Sequence, residues 1–89
     1  MRILIVDDTT FMRVTLRKLL EDEGPHTLYE SDNGFDAIRK YKVYKPDLVI
    51  MDISMPVMDG IDAVIKIREI DPSADILICS LQGQRSDRK

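Results

Sequence analysis

The chain has 89 residues, 44% of them hydrophobic and 33% charged, a size and balance that predict one globular domain and exclude a second. Its formal net charge is −3 and its basic residues are scattered, so we expect no binding to nucleic acid or to a membrane surface. No apolar run approaches a membrane-spanning length and no signal peptide is visible, so we expect a cytoplasmic protein. The single cysteine, Cys79, predicts a small buried hydrophobe, not a disulfide or a reactive thiol.

Short apolar runs alternate along the chain with stretches in which apolar residues recur at helical spacing. The runs predict strands over residues 2–6, 26–30, 48–51 and 75–80. Capping and helix-ending residues place the three helices after Thr9 or Thr10 as far as Gly24-Pro25, from Asn33-Gly34 to just before Pro46, and after Gly60 as far as Asp71-Pro72. Strands that alternate with helices predict right-handed crossovers and a parallel sheet, which is the α/β class.

Each predicted helix has an apolar face that we expect to pack on the sheet. These faces comprise Phe11 or Met12, Leu16, Leu19 and Leu20 in the first helix, Phe35, Ala37, Ile38 and Tyr41 in the second, and Ile61, Val64, Ile65 and Ile67 in the third. The charged residues of the first helix are expected to face water: Arg13, Arg17, Lys18 and Glu21. The second strand is the most polar, which suits a sheet edge, whereas the third and fourth are apolar throughout, which suits an interior.

Acidic or hydroxyl residues end three of the predicted strands. Asp7 and Asp8 follow the first strand, Asp52 follows the third, and Ser80 ends the fourth. Because parallel strands share their carboxyl edge, we expect these side chains to lie on one side of the sheet, where such folds bind ligands. Three converging carboxylates repel one another, so a hard divalent cation would keep them ionised, and oxygen-only ligands favour Mg²⁺. A carboxylate beside Mg²⁺ can attack an activated phosphoryl group, which would make one of the three a nucleophile.

Three segments together resemble the receiver domains of two-component response regulators. They are Ile3-Leu4-Ile5-Val6-Asp7-Asp8, the stretch from Pro46 to Gly60 that contains Asp52 and Met55-Pro56-Val57-Met58-Asp59-Gly60, and Ile76-Leu77-Ile78-Cys79-Ser80. The resemblance implies a flavodoxin-like parallel sheet with strand order 2-1-3-4. Residues 9–13 and 79–84 are most similar to the single-domain chemotaxis branch.

The resemblance also implies a role for each matching residue. Asp52 would be the phosphoacceptor, Asp8 a direct Mg²⁺ ligand and Asp7 a ligand acting mainly through water. Ser54 would contribute its backbone carbonyl to the metal, and Ser80 a hydroxyl that contacts a phosphoryl oxygen. Pro56 and Gly60 would shape the loop, with Gly60 chosen for its backbone freedom.

The chain also departs from the family pattern. We expect residues 1–80 to form a truncated receiver domain and residues 81–89 a polar tail, lacking the usual fifth strand and last two helices. The lysine and aromatic residue that the family carries on the fifth strand are missing, and Lys89 is no substitute because it lies in the tail. We therefore expect any phosphotransfer to be slow and its product short-lived.

Three functions remain open on the sequence. The first is a phosphoacceptor signalling module, not a classical enzyme, whose partner is a histidine kinase or phosphotransfer protein. The second is a non-switching fragment that acts by dimerisation, element swapping or complementation, because the fourth strand would become an exposed apolar edge. The third, a magnesium phosphohydrolase, is disfavoured because Ser54 stands where its general acid would be.

Overall fold

Four strands and three helices alternate in the computed structural model, which describes residues 1–55, 58 and 60–79. In chain order they are β1 (Arg2–Val6), α1 (Thr10–Glu23), β2 (Thr27–Ser31), α2 (Gly34–Tyr44), β3 (Leu48–Asp52), α3 (Gly60–Ile70) and β4 (Ile76–Cys79). All neighbouring strands are parallel, in the order β2-β1-β3-β4. The α/β class and the order 2-1-3-4 are thereby confirmed, and the predicted second strand begins one residue later than expected.

The central strands are apolar throughout because both faces of the sheet are covered. Successive residues of a strand point to opposite faces, so β1 contributes to two cores. On one face, Leu4 and Val6 pack with residues of α2 and α3, including Ala37, Tyr41, Ala63 and Ile67. On the other, Ile3 and Ile5 pack with Ile50 and with the α1 residues Leu16 and Leu20.

Only part of each predicted apolar helix face is buried. Leu16 and Leu20 of α1 pack on the sheet, but Phe11 is 76% exposed and Leu19 is 59% exposed. In α2 and α3, small residues lie in the core. Ala37 and Ala63 are fully buried, whereas Phe35, Ile61 and Ile65 are exposed. The prediction was wrong for those outward residues because apolar side chains occur on more than one side of each helix.

The two outer strands of the sheet are β2 and β4. The position of β2 agrees with its polar composition, whereas β4 is apolar and was predicted from its composition to suit an interior. Within the described residues β4 pairs with β3 alone, so the expectation of an exposed apolar edge holds for that part of the chain. Leu77 and Ile78 of β4 are each about half exposed. The described helices are all too short or too polar to cross a bilayer.

Candidate functional site

The register of the sheet brings the ends of β1 and β3 together. Val6 is opposite Met51 of β3, so the next residues along the chain, Asp7 and Asp52, lie side by side at the ends of the two strands. One carboxylate oxygen from each of Asp7, Asp8 and Asp52 lies within 4.8 Å of the others. The prediction that topology gathers these three acids at one edge is therefore correct.

Asp7 is held firmly by the residues that follow it. Its Oδ1 accepts two hydrogen bonds from Thr9, one from the backbone N–H and one from the hydroxyl, each at 2.9 Å. The Thr9 hydroxyl also accepts from the backbone N–H of Met12 and so caps α1. The first turn of α1 therefore fixes the orientation of a buried carboxylate.

Asp8 is the most exposed of the three acids, yet one of its oxygens is buried. This oxygen, Oδ1, has no hydrogen-bond partner among the described residues. Since a buried carboxylate oxygen without a donor is costly, a cation is a fitting partner for it. The side-chain groups that could bind an ion here are all carboxylate oxygens, which are the ligands that Mg²⁺ prefers. The residues present therefore fit a hard divalent ion.

Asp52 is 6% exposed and titrates unlike a surface carboxyl group. Burial raises its pKa, and the negative charges of Asp7 and Asp8 raise it further. A hydrogen bond of 3.0 Å from the backbone N–H of Ser54 to Asp52 Oδ1 opposes this rise. A positive charge at the cluster would favour the ionised form, which is the nucleophilic one.

Gly60 brings the start of α3 against the end of β3. A Cβ atom at this position would lie 2.5 Å from Ile53 Cα and closer still to the Asp52 carbonyl oxygen, distances that no side chain can occupy. The Gly60 N–H also donates to the Ile53 carbonyl at 3.3 Å. Close packing against the end of β3 therefore requires glycine here, and backbone freedom, the expected reason, stays a prediction.

The remaining predicted site residues are only partly placed. Ser54 lies just beyond β3 and its N–H binds Asp52, as above, so its carbonyl belongs to the same loop. Ser80, Pro56 and Lys89 lie outside the described residues, as does the whole predicted tail, 81–89.

Two neighbours of the cluster carried no predicted role at this edge. Cys79 was interpreted only as a buried hydrophobe; it is opposite Asp52 in the sheet, and burial, followed by the charges of Asp52 and Asp7, raises its thiol pKa. Arg13 was expected to face water, but its guanidinium donates to the Asp7 carbonyl at 2.7 Å and pairs with Glu30 of β2. The sequence did offer a signal for this contact: Arg13 is one turn into α1, and that turn lies beside the loop that carries Asp7 and Asp8.

The fold and the acidic cluster define a class of protein that comparison with known families identifies. The chain belongs to the response regulator receiver domain family, whose model matches residues 3–89. Among curated relatives it is 49% identical over 85 residues to the chemotaxis protein CheY of Thermotoga maritima and 51% identical over 85 residues to that of Bacillus subtilis. Each match covers 96% of this chain and 71% of the relative.

Solved structures agree with this family. In the CheX-CheY-BeF3-Mg²⁺ complex from Borrelia burgdorferi, a chain superimposes with a TM-score of 0.87 at 35% identity, over 93% of this chain and 63% of that one. The response regulator TrrA of Thermotoga maritima, in complex with Mg²⁺ and BeF, gives a TM-score of 0.86 at 34% identity, over 92% of this chain and 70% of that one. The expected resemblance, including its chemotaxis branch, is confirmed.

Proposed function

We propose that the chain is a phosphoacceptor module of two-component, chemotaxis-type signalling that receives a phosphoryl group on Asp52. The observation that carries the proposal is the cluster of Asp7, Asp8 and Asp52, whose oxygens lie within 4.8 Å of one another at the end of β1 and β3. Its donors would be a histidine kinase or a phosphotransfer protein. A cytoplasmic location is part of the same proposal.

Asp7, Asp8 and Asp52 would hold Mg²⁺, together with the backbone carbonyl of Ser54. The ion, when bound, would offset negative charge on the transferred phosphoryl oxygens. Asp52 suits the nucleophile because burial, followed by the charges of Asp7 and Asp8, raises its pKa, so its ionisation depends on the charge of the site. An oxygen of Asp52 would form the new bond to phosphorus while the bond from phosphorus to the donor's leaving group breaks.

Positions of the other groups support this assignment of roles. The Ser54 N–H holds Asp52 Oδ1 at 3.0 Å, which fixes the direction of the carboxylate for attack. Asp7 is committed to Thr9 through Oδ1, which suits a ligand that contacts the metal through water. Asp8 has a buried oxygen free of donors among the described residues, which suits direct ligation. For Ser80 we keep the role of phosphoryl-contacting hydroxyl as part of the proposal.

The test is incubation with MgCl₂ and acetyl phosphate followed by intact mass measurement. We expect a Mg²⁺-dependent gain of one phosphoryl mass in the parent chain and none in Asp52→Asn. Asp75→Asn is the matched control, because it removes an exposed carboxylate before β4 and should leave the gain intact. Phosphorylation that survives Asp52→Asn, or no phosphorylation under conditions that modify the Bacillus subtilis CheY, would refute the proposal.

A second function, association through β4, is favoured by one observation. β4 ends the described sheet, and its Leu77 and Ile78 are 56% and 51% exposed on opposite faces. A strand with an unpaired apolar edge can extend a sheet into a second copy, so we propose a homodimer or swapped assembly through this strand. Sedimentation at micromolar concentration should show a dimer that Ile78→Lys dissociates. Ile65→Lys is the matched control, because Ile65 on α3 is also 51% exposed; a well-folded monomeric parent chain would exclude this assembly.

A further inference from the structure

The Arg13 guanidinium joins α1, β2 and the loop after β1. Its Nη1 donates to the Asp7 carbonyl at 2.7 Å, its Nε donates to Glu30 Oε1 at 3.0 Å, and its Nη2 donates to Thr10 Oγ1 at 3.3 Å. The side chain is only 15% exposed. A planar fork with three simultaneous acceptors is a rigid contact, one that a single ammonium cannot reproduce.

The oxygen that Arg13 binds belongs to the peptide group between Asp7 and Asp8. On the preceding side, the Asp7 N–H donates to the Ser31 carbonyl at 3.1 Å and so continues the pairing of β1 with β2. The main chain of Asp7 is therefore held at both of its peptide groups, by the sheet at one and by Arg13 at the other.

The orientation of the Asp8 carboxylate depends on this main-chain contact more than that of Asp7 does. The Asp7 carboxylate is oriented by Thr9, whereas Asp8 Oδ1 has no donor among the described residues. The peptide plane before Asp8 helps to set where its Cα–Cβ bond points, so Arg13, which holds that plane, constrains the Asp8 carboxylate through the backbone.

We propose that Arg13 is a positioning residue for the cation site, acting through the Asp7–Asp8 peptide to direct the Asp8 carboxylate. The inference rests on the proposed function, since it concerns the same three carboxylates. Glu30 completes the arrangement by anchoring Arg13 from β2, and its second oxygen is 3.2 Å from Arg17 Nε.

The charge of Arg13 and its position have opposite effects on the binding of a divalent cation. A guanidinium near the cluster repels a divalent cation, so removing the charge would strengthen binding while the loss of position would weaken it. A lysine keeps the charge and cannot reach three acceptors at once, so Arg13→Lys separates the two effects. Arg17→Lys is the matched control, because Arg17 is also paired with Glu30 but has no contact with the Asp7 carbonyl among the bonds described.

The experiment is a MgCl₂ titration of the three proteins, followed by backbone amide shifts, with melting measured separately in EDTA. Partners behind metal ligands are typically worth tenfold or more in metal affinity, so we expect the Mg²⁺ dissociation constant to rise about tenfold in Arg13→Lys and to change less than twofold in Arg17→Lys. Melting in EDTA should be lowered more in Arg13→Lys, which loses hydrogen bonds to three acceptors, than in Arg17→Lys, and line broadening at the Asp8 and Thr9 amides should appear in Arg13→Lys alone.

Equal Mg²⁺ affinities in Arg13→Lys and Arg17→Lys would overturn the inference while leaving the proposed function intact. Absence of Mg²⁺ binding by the parent chain would instead overturn the proposed function. If Arg13→Lys does not fold, Glu30→Ala gives a second test, because it removes the side chain that anchors Arg13 from β2. In that variant, weaker Mg²⁺ binding supports the positioning role, and unchanged binding refutes it.

Discussion

Neutralising Asp52 should make the metal-free protein more stable. Two unit charges 4.8 Å apart repel by about 3.5 kcal/mol at an effective dielectric constant of about 20, and Asp52 faces two such charges. Solvent at Asp8 screens part of this repulsion, and asparagine accepts the Ser54 N–H less strongly than a carboxylate does. For Asp52→Asn we therefore expect a net gain of about 1–2 kcal/mol at pH 7, which raises the melting temperature of a domain this small by roughly 5–10 °C.

Added Mg²⁺ should remove most or all of the advantage of Asp52→Asn. If the parent chain binds Mg²⁺ with a dissociation constant of about 0.5 mM, 10 mM Mg²⁺ stabilises it by about 1.8 kcal/mol. Asp52→Asn has lost one ligand and should gain little, and Asp8→Asn should likewise lose most of the Mg²⁺ effect. Melting curves in EDTA and in 10 mM MgCl₂, with Asp75→Asn as control, measure both changes.

The pH dependence gives an independent check on the same reasoning. Because the folded-state pKa of Asp52 is raised, the folded protein holds this proton more tightly than the unfolded chain does. The associated stability is fully present below the unfolded pKa and is lost as pH rises through the folded pKa. The advantage of Asp52→Asn in EDTA should therefore shrink as pH falls towards the normal aspartate pKa. Equal melting of parent and variant at pH 7 in EDTA would refute the idea that the three carboxylates lie together and repel one another in the metal-free protein.

Two further substitutions test the packing around the site and the far end of the sheet. Gly60→Ala should destabilise the protein by about 2–3 kcal/mol, because its Cβ meets backbone atoms of Asp52 and Ile53. In Gly34→Ala, the comparison, the atoms nearest to the new Cβ belong to the Met58 side chain, which can shift more readily than backbone, so chemical denaturation should show a smaller loss. Tyr41→Phe should cost about 1 kcal/mol by removing the 2.7 Å hydrogen bond to Asp71. Burial and that bond raise the Tyr41 pKa to about 12, so the parent chain should lose stability as pH rises from the normal tyrosine pKa of about 10 to about 12, and Tyr41→Phe should lack this loss.

The position of the acidic site was predictable because it depends on topology more than on packing detail. Once strands and helices alternate, parallel pairing places every strand end at one edge. Asp7 and Asp52 each follow an apolar run, so they had to emerge at that edge. What the sequence does not contain is the register, which sets Val6 opposite Met51 and so makes the two acids adjacent.

The helix faces were less predictable because burial depends on how each helix docks. α3 carries isoleucines on several sides, so spacing alone does not identify the inward one. The structure buries Ala63 and Ile67 and exposes Ile61 and Ile65, because small residues let the helix lie close to the sheet. The contacts of Arg13 were not predicted for the same reason. Its partner Glu30 is 17 positions away in sequence and becomes a neighbour only when α1 packs beside β2.

The acidic cluster couples occupancy of the site to the stability of the fold. Pairing of β1 and β3 forces Asp7 and Asp52 together, so the hydrogen bonds that build the sheet also bring together charges that repel. The repelling groups lie at the ends of β1 and β3. Thr9 also connects Asp7 to the first turn of α1, because its hydroxyl donates to Asp7 Oδ1 and accepts from the Met12 N–H. A cation at this edge would relieve the repulsion in the folded protein alone, because the unfolded chain does not gather these residues. Asp52, the residue proposed to accept a phosphoryl group, is the last residue of β3, so a change of its charge alters the repulsion between the ends of the two central strands.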